Sequence, residues 1–264
     1  MTIIPQVSTA SLLLANGIQL ETATKREILE AAGVFQGLGD SLTIALKRFK
    51  TCNPEMLLLK KKVQRLSCIK DTVLITGPTG TGKELIAQAL GAGNPPFVPI
   101  NMSGLPDTLI ESLLFGHKAG TFTGATKDHI GLISSAQSGT IFLDEIDKMP
   151  LNQQAKLLRV LTEFEITPLG HYAPIKVDCR FVAASNRDLF ELSKCGLFLE
   201  DLYWRLSVFT LRVTALRDRP EDILLIAESM AYKESFGEIP DSALDGNCRS
   251  LYSWIRNKRI FSLI

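Results

Sequence analysis

Disulfides, metal ligands, membrane spans and a dominant charge are all missing from this sequence. Its five cysteines (Cys52, Cys68, Cys179, Cys195, Cys248) are scattered and odd in number. None forms a Cys-x-x-Cys pair or has zinc-ligand spacing with a histidine, so neither a disulfide framework nor a zinc site is indicated and a reducing cytosol fits best. The apolar stretch Ser11–Ala15 has no Lys or Arg before it, and no run approaches the roughly 20 residues that span a bilayer. A soluble cytoplasmic protein with no membrane partner is expected. The 29 basic and 28 acidic residues leave a net charge of +1, so charge alone argues for no nucleic-acid surface. Repeats and low-complexity tracts are absent as well.

What is present centres on Gly77-Pro78-Thr79-Gly80-Thr81-Gly82-Lys83-Glu84, which follows the β-branched run Thr72–Thr76 and opens a helical pattern. Glycines there permit backbone angles that a Cβ forbids and expose N–H groups to an anion at a helix N-terminus. Lys83 adds a full positive charge. The stretch fits the phosphate-loop pattern G-x-x-x-x-G-K-[ST] at all positions but the last, where Glu84 stands; an ordinary Gly-rich turn is the bland alternative. Leu85, Ile86, Ala89 and Leu90 mark one buried helix face. A short strand Phe97–Ile100 and a helix through Leu109, Ile110, Leu113 and Leu114 follow.

The next segment, Gly116–Ala125, is rich in Gly and Thr and predicts a loop presenting Phe122, either a partner contact or a plain connector. Thr140–Leu143 reads as a strand buried on both faces that delivers Asp144 and Glu145 at its C-terminal edge, where ligands of such sheets bind. Beside a phosphate loop those acids suit magnesium handling and water activation. A helix over 150–163, a buried strand ending at Asn186, helices over 188–194 and about 200–206, and a strand over 208–213 complete the alternation. It predicts an α/β fold with a parallel sheet, and Ile223, Leu224, Ile226, Ala227 and Met230 predict a helix that starts a separate small unit.

Taken together, these motifs resemble the AAA+ ATPase domain of sigma-54-dependent transcription activators, the bacterial enhancer-binding proteins. The likeness runs from about Asn53 to about Ile226 and rests on Gly80–Glu84, Leu109–His117, Gly120–Ala125, Gly139–Ile146, Gln153–Leu161 and Asp201–Leu206 in that order. It implies a P-loop NTPase sheet sandwiched by helices over 49–217 and a partial, truncated helical lid over 218–264, with residues 1–48 of unassigned role. Glu84 is then a family mark, since similar proteins carry Gly-Lys-Glu. The resemblance implies ATP and Mg2+ as cofactors, with Gly77–Glu84 around the phosphates and Lys83 on the β- and γ-phosphates. Asp144 would hold magnesium, Glu145 would polarise the attacking water, Asn101 would restrain Glu145, and Asn186 would sense the γ-phosphate.

Arg205 matches an arginine that similar proteins insert into a neighbour's site, which implies a homo-oligomeric ring such as a hexamer. Gly120, Thr121, Phe122, Thr123, Gly124 and Ala125 resemble the signature that contacts sigma-54 in the RNA polymerase holoenzyme, with Thr121 in place of Ala. The implied function is an ATP-hydrolysing domain that remodels sigma-54 RNA polymerase to activate transcription.

Three departures stand out. Leu199 occupies the place of a second intersubunit arginine, and Thr51-Cys52-Asn53-Pro54 lacks the Gly usual near the base. Leu251–Trp254 resembles the approach to the lid motif Trp-Pro-Gly-Asn-x-Arg-Glu-Leu but continues Ile255-Arg256-Asn257-Lys258, so the second sensor arginine is expected to have no counterpart. No helix-turn-helix module of the kind that typical members carry is expected in these residues. From these departures comes the alternative of a degenerate paralogue that binds ATP or sigma-54 with little or no hydrolysis.

Overall fold

The computed structural model describes residues 36–104, 107–122, 125–231, 239–243, 245 and 247–261. The expectations for residues 1–35, Thr123 and Gly124 lie outside the described residues. In chain order the elements are α1 (Gln36–Arg48), α2 (Pro54–Leu66), β1 (Val73–Thr76), α3 (Lys83–Gly91), β2 (Phe97–Asn101), a 3-10 turn (Met102–Gly104) and α4 (Asp107–Phe115). Then come β3 (Gly116–His117), β4 (His129–Ile130), α5 (Leu132–Ser135), β5 (Thr140–Asp144), a 3-10 turn (Ile146–Lys148) and α6 (Leu151–Glu163). After β6 (Glu165–Ile166), β7 (Ile175–Lys176) and β8 (Arg180–Ser185) follow α7 (Leu189–Lys194), α8 (Glu200–Leu206) and β9 (Phe209–Arg212). A 3-10 turn (Leu216–Asp218), α9 (Pro220–Ala231), another 3-10 turn (Asp241–Ala243) and α10 (Asn247–Phe261) close the described chain.

Five strands form one parallel sheet in the order β2-β5-β8-β1-β9. Side chains alternate across a strand, so each strand feeds two cores. Leu74, Ile141, Leu143, Phe181 and Ala183 face α4, α6, α7 and α8. Val73, Ile75, Phe142, Val182, Ala184 and Leu211 face α1, α2 and α3. Two cores flank one sheet, as its near-continuous apolar strands predict.

Helix α1, on the N-terminal side of the boundary expected at residue 48, buries Leu42 and Leu46 in the second core beside Phe49. Helix α2 begins as its sequence demands: Pro54 occupies the first turn and the Asn53 side chain accepts from Met56 N at 3.1 Å. A third, smaller cluster of Leu216, Ile226, Ala227, Leu251 and Ile255 joins α9 to α10. Among the described residues, no helix is long and apolar enough to cross a membrane.

Candidate functional site

The phosphate loop lies between the end of β1 and the start of α3, at the C-terminal edge of the sheet. Its first glycine is required by close approach: Gly77 has φ +151°, and a Cβ there would lie 2.3 Å from the Val213 carbonyl oxygen. Gly82, with φ +98°, forms the N-cap of α3. The Lys83 ammonium turns back over the loop and donates to the carbonyls of Gly77 (2.7 Å) and Pro78 (3.0 Å). Burial lowers the Lys83 pKa from its ordinary value, and the carboxylates of Asp144, Glu145 and Asp147 oppose that shift.

A cleft of about 260 Å3 opens over the loop, lined among others by Thr79, Lys83, Glu84, Asp144, Glu145 and Arg249. Strand β5 delivers the acids. Burial raises the Asp144 pKa despite the hydrogen bond from the Glu145 amide at 3.0 Å and the nearby Lys83 charge. Glu145 sits in the left-handed region, φ +53° and ψ +45°, a conformation that costs a non-glycine residue on the order of 1 kcal/mol. The Asn101 amide donates to Asp144 Oδ2 at 3.4 Å, not to the Glu145 that the resemblance implies, while Asn101 Oδ1 accepts from the Ser103 amide and hydroxyl. Asn186 Nδ2 donates to Thr79 Oγ1 at 3.1 Å.

Arg205 is elsewhere. It lines a separate cavity of about 350 Å3 with Lys70, Thr72, Phe164 and Val208, at the N-terminal edge of the sheet, where Thr72 immediately precedes β1. The Leu199 amide donates to the buried Gln154 side chain at 2.8 Å, and its own side chain packs against the first core. Gly120 donates to the Ala125 carbonyl at 2.8 Å, closing the base of the loop that carries Phe122, which is 41% exposed.

The lid expectation needs correction. The sequence reading fixed the register on Trp254 and left the second sensor arginine without a residue, but the start of α10 rests on the phosphate loop. Cys248 N donates to Gly80 O at 3.1 Å, and Asn247 Nδ2 donates to Thr79 O at 3.0 Å. Asn247 Oδ1 also accepts from Leu216 N at 2.6 Å. Arg249 therefore lines the cleft. The tetrad Gly246-Asn247-Cys248-Arg249 carries the Gly-Asn-x-Arg of the lid motif, and it was the signal to follow.

Sequence reasoning also missed Arg219 and Asp222. Both are buried, at 1% and 0% exposure. Arg219 donates to Asp222 at 3.2 Å and to Thr81 O at 3.2 Å, and its guanidinium lies 5.5 Å from the Phe49 ring centre. Asp222 further accepts from the Thr51 hydroxyl (2.7 Å), Cys52 N (2.7 Å) and Asn53 N (3.1 Å). One ion pair thus joins the lid, the phosphate loop and the segment before α2.

With this geometry in view, the family profile described as "Sigma-54 interaction domain" matches residues 49–212. DNA-binding transcriptional regulator NtrC of Azospirillum brasilense is 45% identical over 221 residues, covering 77% of this chain and 46% of the relative. Regulatory protein AtoC of Escherichia coli is 47% identical over 189 residues, covering 70% and 41%. A crystal structure of NtrX from Brucella abortus in complex with ATP superposes with a TM-score of 0.71 at 26% identity, covering 98% of this chain and 58% of that one. The chain spans less than half the length of these two curated relatives.

Proposed function

The chain belongs to the sigma-54 interaction domain family, and from that premise we propose that its cleft binds and hydrolyses ATP to remodel sigma-54 RNA polymerase. The observation that carries this reading is the convergence of Lys83, Asp144, Glu145 and Arg249 on one cleft over the phosphate loop. Two cations and two acids meet where phosphates fit.

In this reading the triphosphate lies on the loop amides and the N-terminus of α3, and the Lys83 ammonium exchanges its two loop carbonyls for phosphate oxygens. The added negative charge keeps the ammonium protonated against its burial. Mg2+ suits the same cleft, where the carboxylates of Glu84, Asp144 and Glu145 offer oxygen ligands beside the phosphate loop. When bound, Mg2+ supplies charge neutralisation at the phosphate oxygens. Glu145 orients the attacking water, held in place by its left-handed backbone. Asn101 holds Asp144, and Asn186 reports the γ-phosphate through Thr79.

Arg249 closes the lid side of the cleft on the phosphates. Arg205 lines a cavity at the opposite edge of the sheet, so its guanidinium serves the site of a neighbouring copy, in a cyclic oligomer. The loop Gly120–Ala125 offers Phe122 to sigma-54.

The test is phosphate release titrated against protein concentration. Turnover that needs Mg2+, rises per subunit with concentration and falls at least a hundredfold in Glu145→Gln is expected, with ATP still bound by the variant. Well-folded protein that shows no turnover at high concentration would refute the hydrolytic reading.

A further inference from the structure

Phe122 is an exposed aromatic, yet its ring is held from one side. His117 lies against it at 4.9 Å between ring centres in an edge-on geometry. The His117 ring is itself fixed on two further sides. It stacks on His129 at 5.6 Å, and its Nδ1 shares a 2.6 Å hydrogen bond with the buried hydroxyl of Ser112. The backbone is pinned as well: His117 pairs with His129 across β3 and β4 and bridges to Leu169. Gly116 before it has φ +85°, and a Cβ there would lie 2.6 Å from the His129 carbonyl oxygen.

Ser112 belongs to α4, whose neighbouring Glu111 accepts from Gln153 at 3.0 Å and pairs with Lys156 on α6. Helix α4 follows the 3-10 turn after β2, whose last residue, Asn101, touches Asp144 in the cleft. Helix α4 thus ends two residues before the histidine that touches Phe122. We infer that His117 is the positioning residue that orients the Phe122 ring and, through Ser112, ties it to α4. The inference rests on the reading of Phe122 as the sigma-54 contact.

The test uses the full chain, purified sigma-54 and ADP with aluminium fluoride, reading sigma-54 retention beside phosphate release and melting temperature. Ser112→Ala cuts the hydrogen bond, His117→Phe keeps a ring but loses that bond, and Ser112→Thr keeps the hydroxyl. Retention is expected to weaken roughly threefold to tenfold in the first two. It should recover in Ser112→Thr, with release within twofold of wild type in all three. Ser112→Ala combined with His117→Phe should be no worse than His117→Phe alone, because both cut one link. Unchanged retention in Ser112→Ala, or losses that add in the double variant, would overturn the inference while wild-type retention leaves the sigma-54 reading standing. Wild-type protein that fails to retain sigma-54 overturns both.

Discussion

Asp222→Ala is the most informative single perturbation of this fold. Asp222 is fully buried and accepts from Thr51, Cys52 N, Asn53 N and Arg219. These losses are unequal. Cys52 is exposed, so water can replace part of what the loop amides lose, at about 1 kcal/mol for a neutral bond. Arg219 is 1% exposed and its Nε already has no partner. Among the described residues, its charge then keeps the Thr81 carbonyl, the Cys248 sulfur at 3.8 Å and the Phe49 face.

Breaking a buried pair from one side costs about 3–5 kcal/mol, so the arginine sets the magnitude. For a chain of this size that corresponds to a fall in Tm of roughly 6–20 °C. Urea denaturation and calorimetry measure it, and hydrogen exchange at Cys52 and Asn53 should accelerate alongside. Asp222→Asn should lose a comparable amount, because it leaves the same arginine charge without a counter-charge and sets an amide N–H2 against donors that both carboxylate oxygens now accept from. The double change Arg219→Met with Asp222→Leu should recover most of the loss, since no buried charge is left alone. An Asp222→Ala protein within about 1 kcal/mol of wild type would refute the argument, as would a double variant no better than the single.

Acid should erase the contribution of Asp222. Burial alone would raise its pKa, but the bonds from Thr51, Cys52 and Asn53 and the Arg219 charge hold it below the ordinary carboxylate value. Its stabilisation is therefore present above the unfolded value of about 3.9 and lost as pH falls through the folded one. The stability gap between wild type and Asp222→Asn should shrink between neutral pH and pH about 3, and a gap that stays constant argues against the assignment. Asp144 has the opposite sign, because burial raises it; deprotonation as pH rises through its folded value costs stability, and Mg2+ with ATP should reverse that cost in a thermal-shift series.

Arg180→Met should destabilise by about 3 kcal/mol, because the buried guanidinium donates to the Leu90 and Leu66 carbonyls that end α3 and α2. A denaturant midpoint equal to wild type would contradict that role. Gly77→Ala should abolish nucleotide binding in equilibrium dialysis, since its Cβ would strike the Val213 carbonyl; wild-type affinity would show that the loop tolerates the shift.

The five strands of the parallel sheet and the main helices between them were legible because their signals are local, whereas the two-residue strands β3, β4, β6 and β7 were too short to leave a periodic signal. Apolar runs such as Thr140–Leu143 fit a sheet buried on both faces, and the glycines of 77–82 fit a tight loop at a helix N-terminus. Asp144 and Glu145 were legible from their position at a strand end and Lys83 from the loop pattern before its helix. The contact of Asn101 was not legible: two carboxylates lie within one residue of each other, and only packing decides which one the amide reaches.

Sequence by itself determined the sheet, the phosphate loop and the acids that face it, because strand periodicity and turn chemistry are written within a few residues. Only the tertiary structure decided how the cleft closes. Arg219, Asp222 and Asn247 make contacts with residues 29 to 171 positions away, and the contacts of Asn247 bring Arg249 to the cleft. A buried arginine and aspartate look in sequence like any solvated pair. What distinguishes them is desolvation, since a charge sealed from water must find its partners wherever the fold brings them.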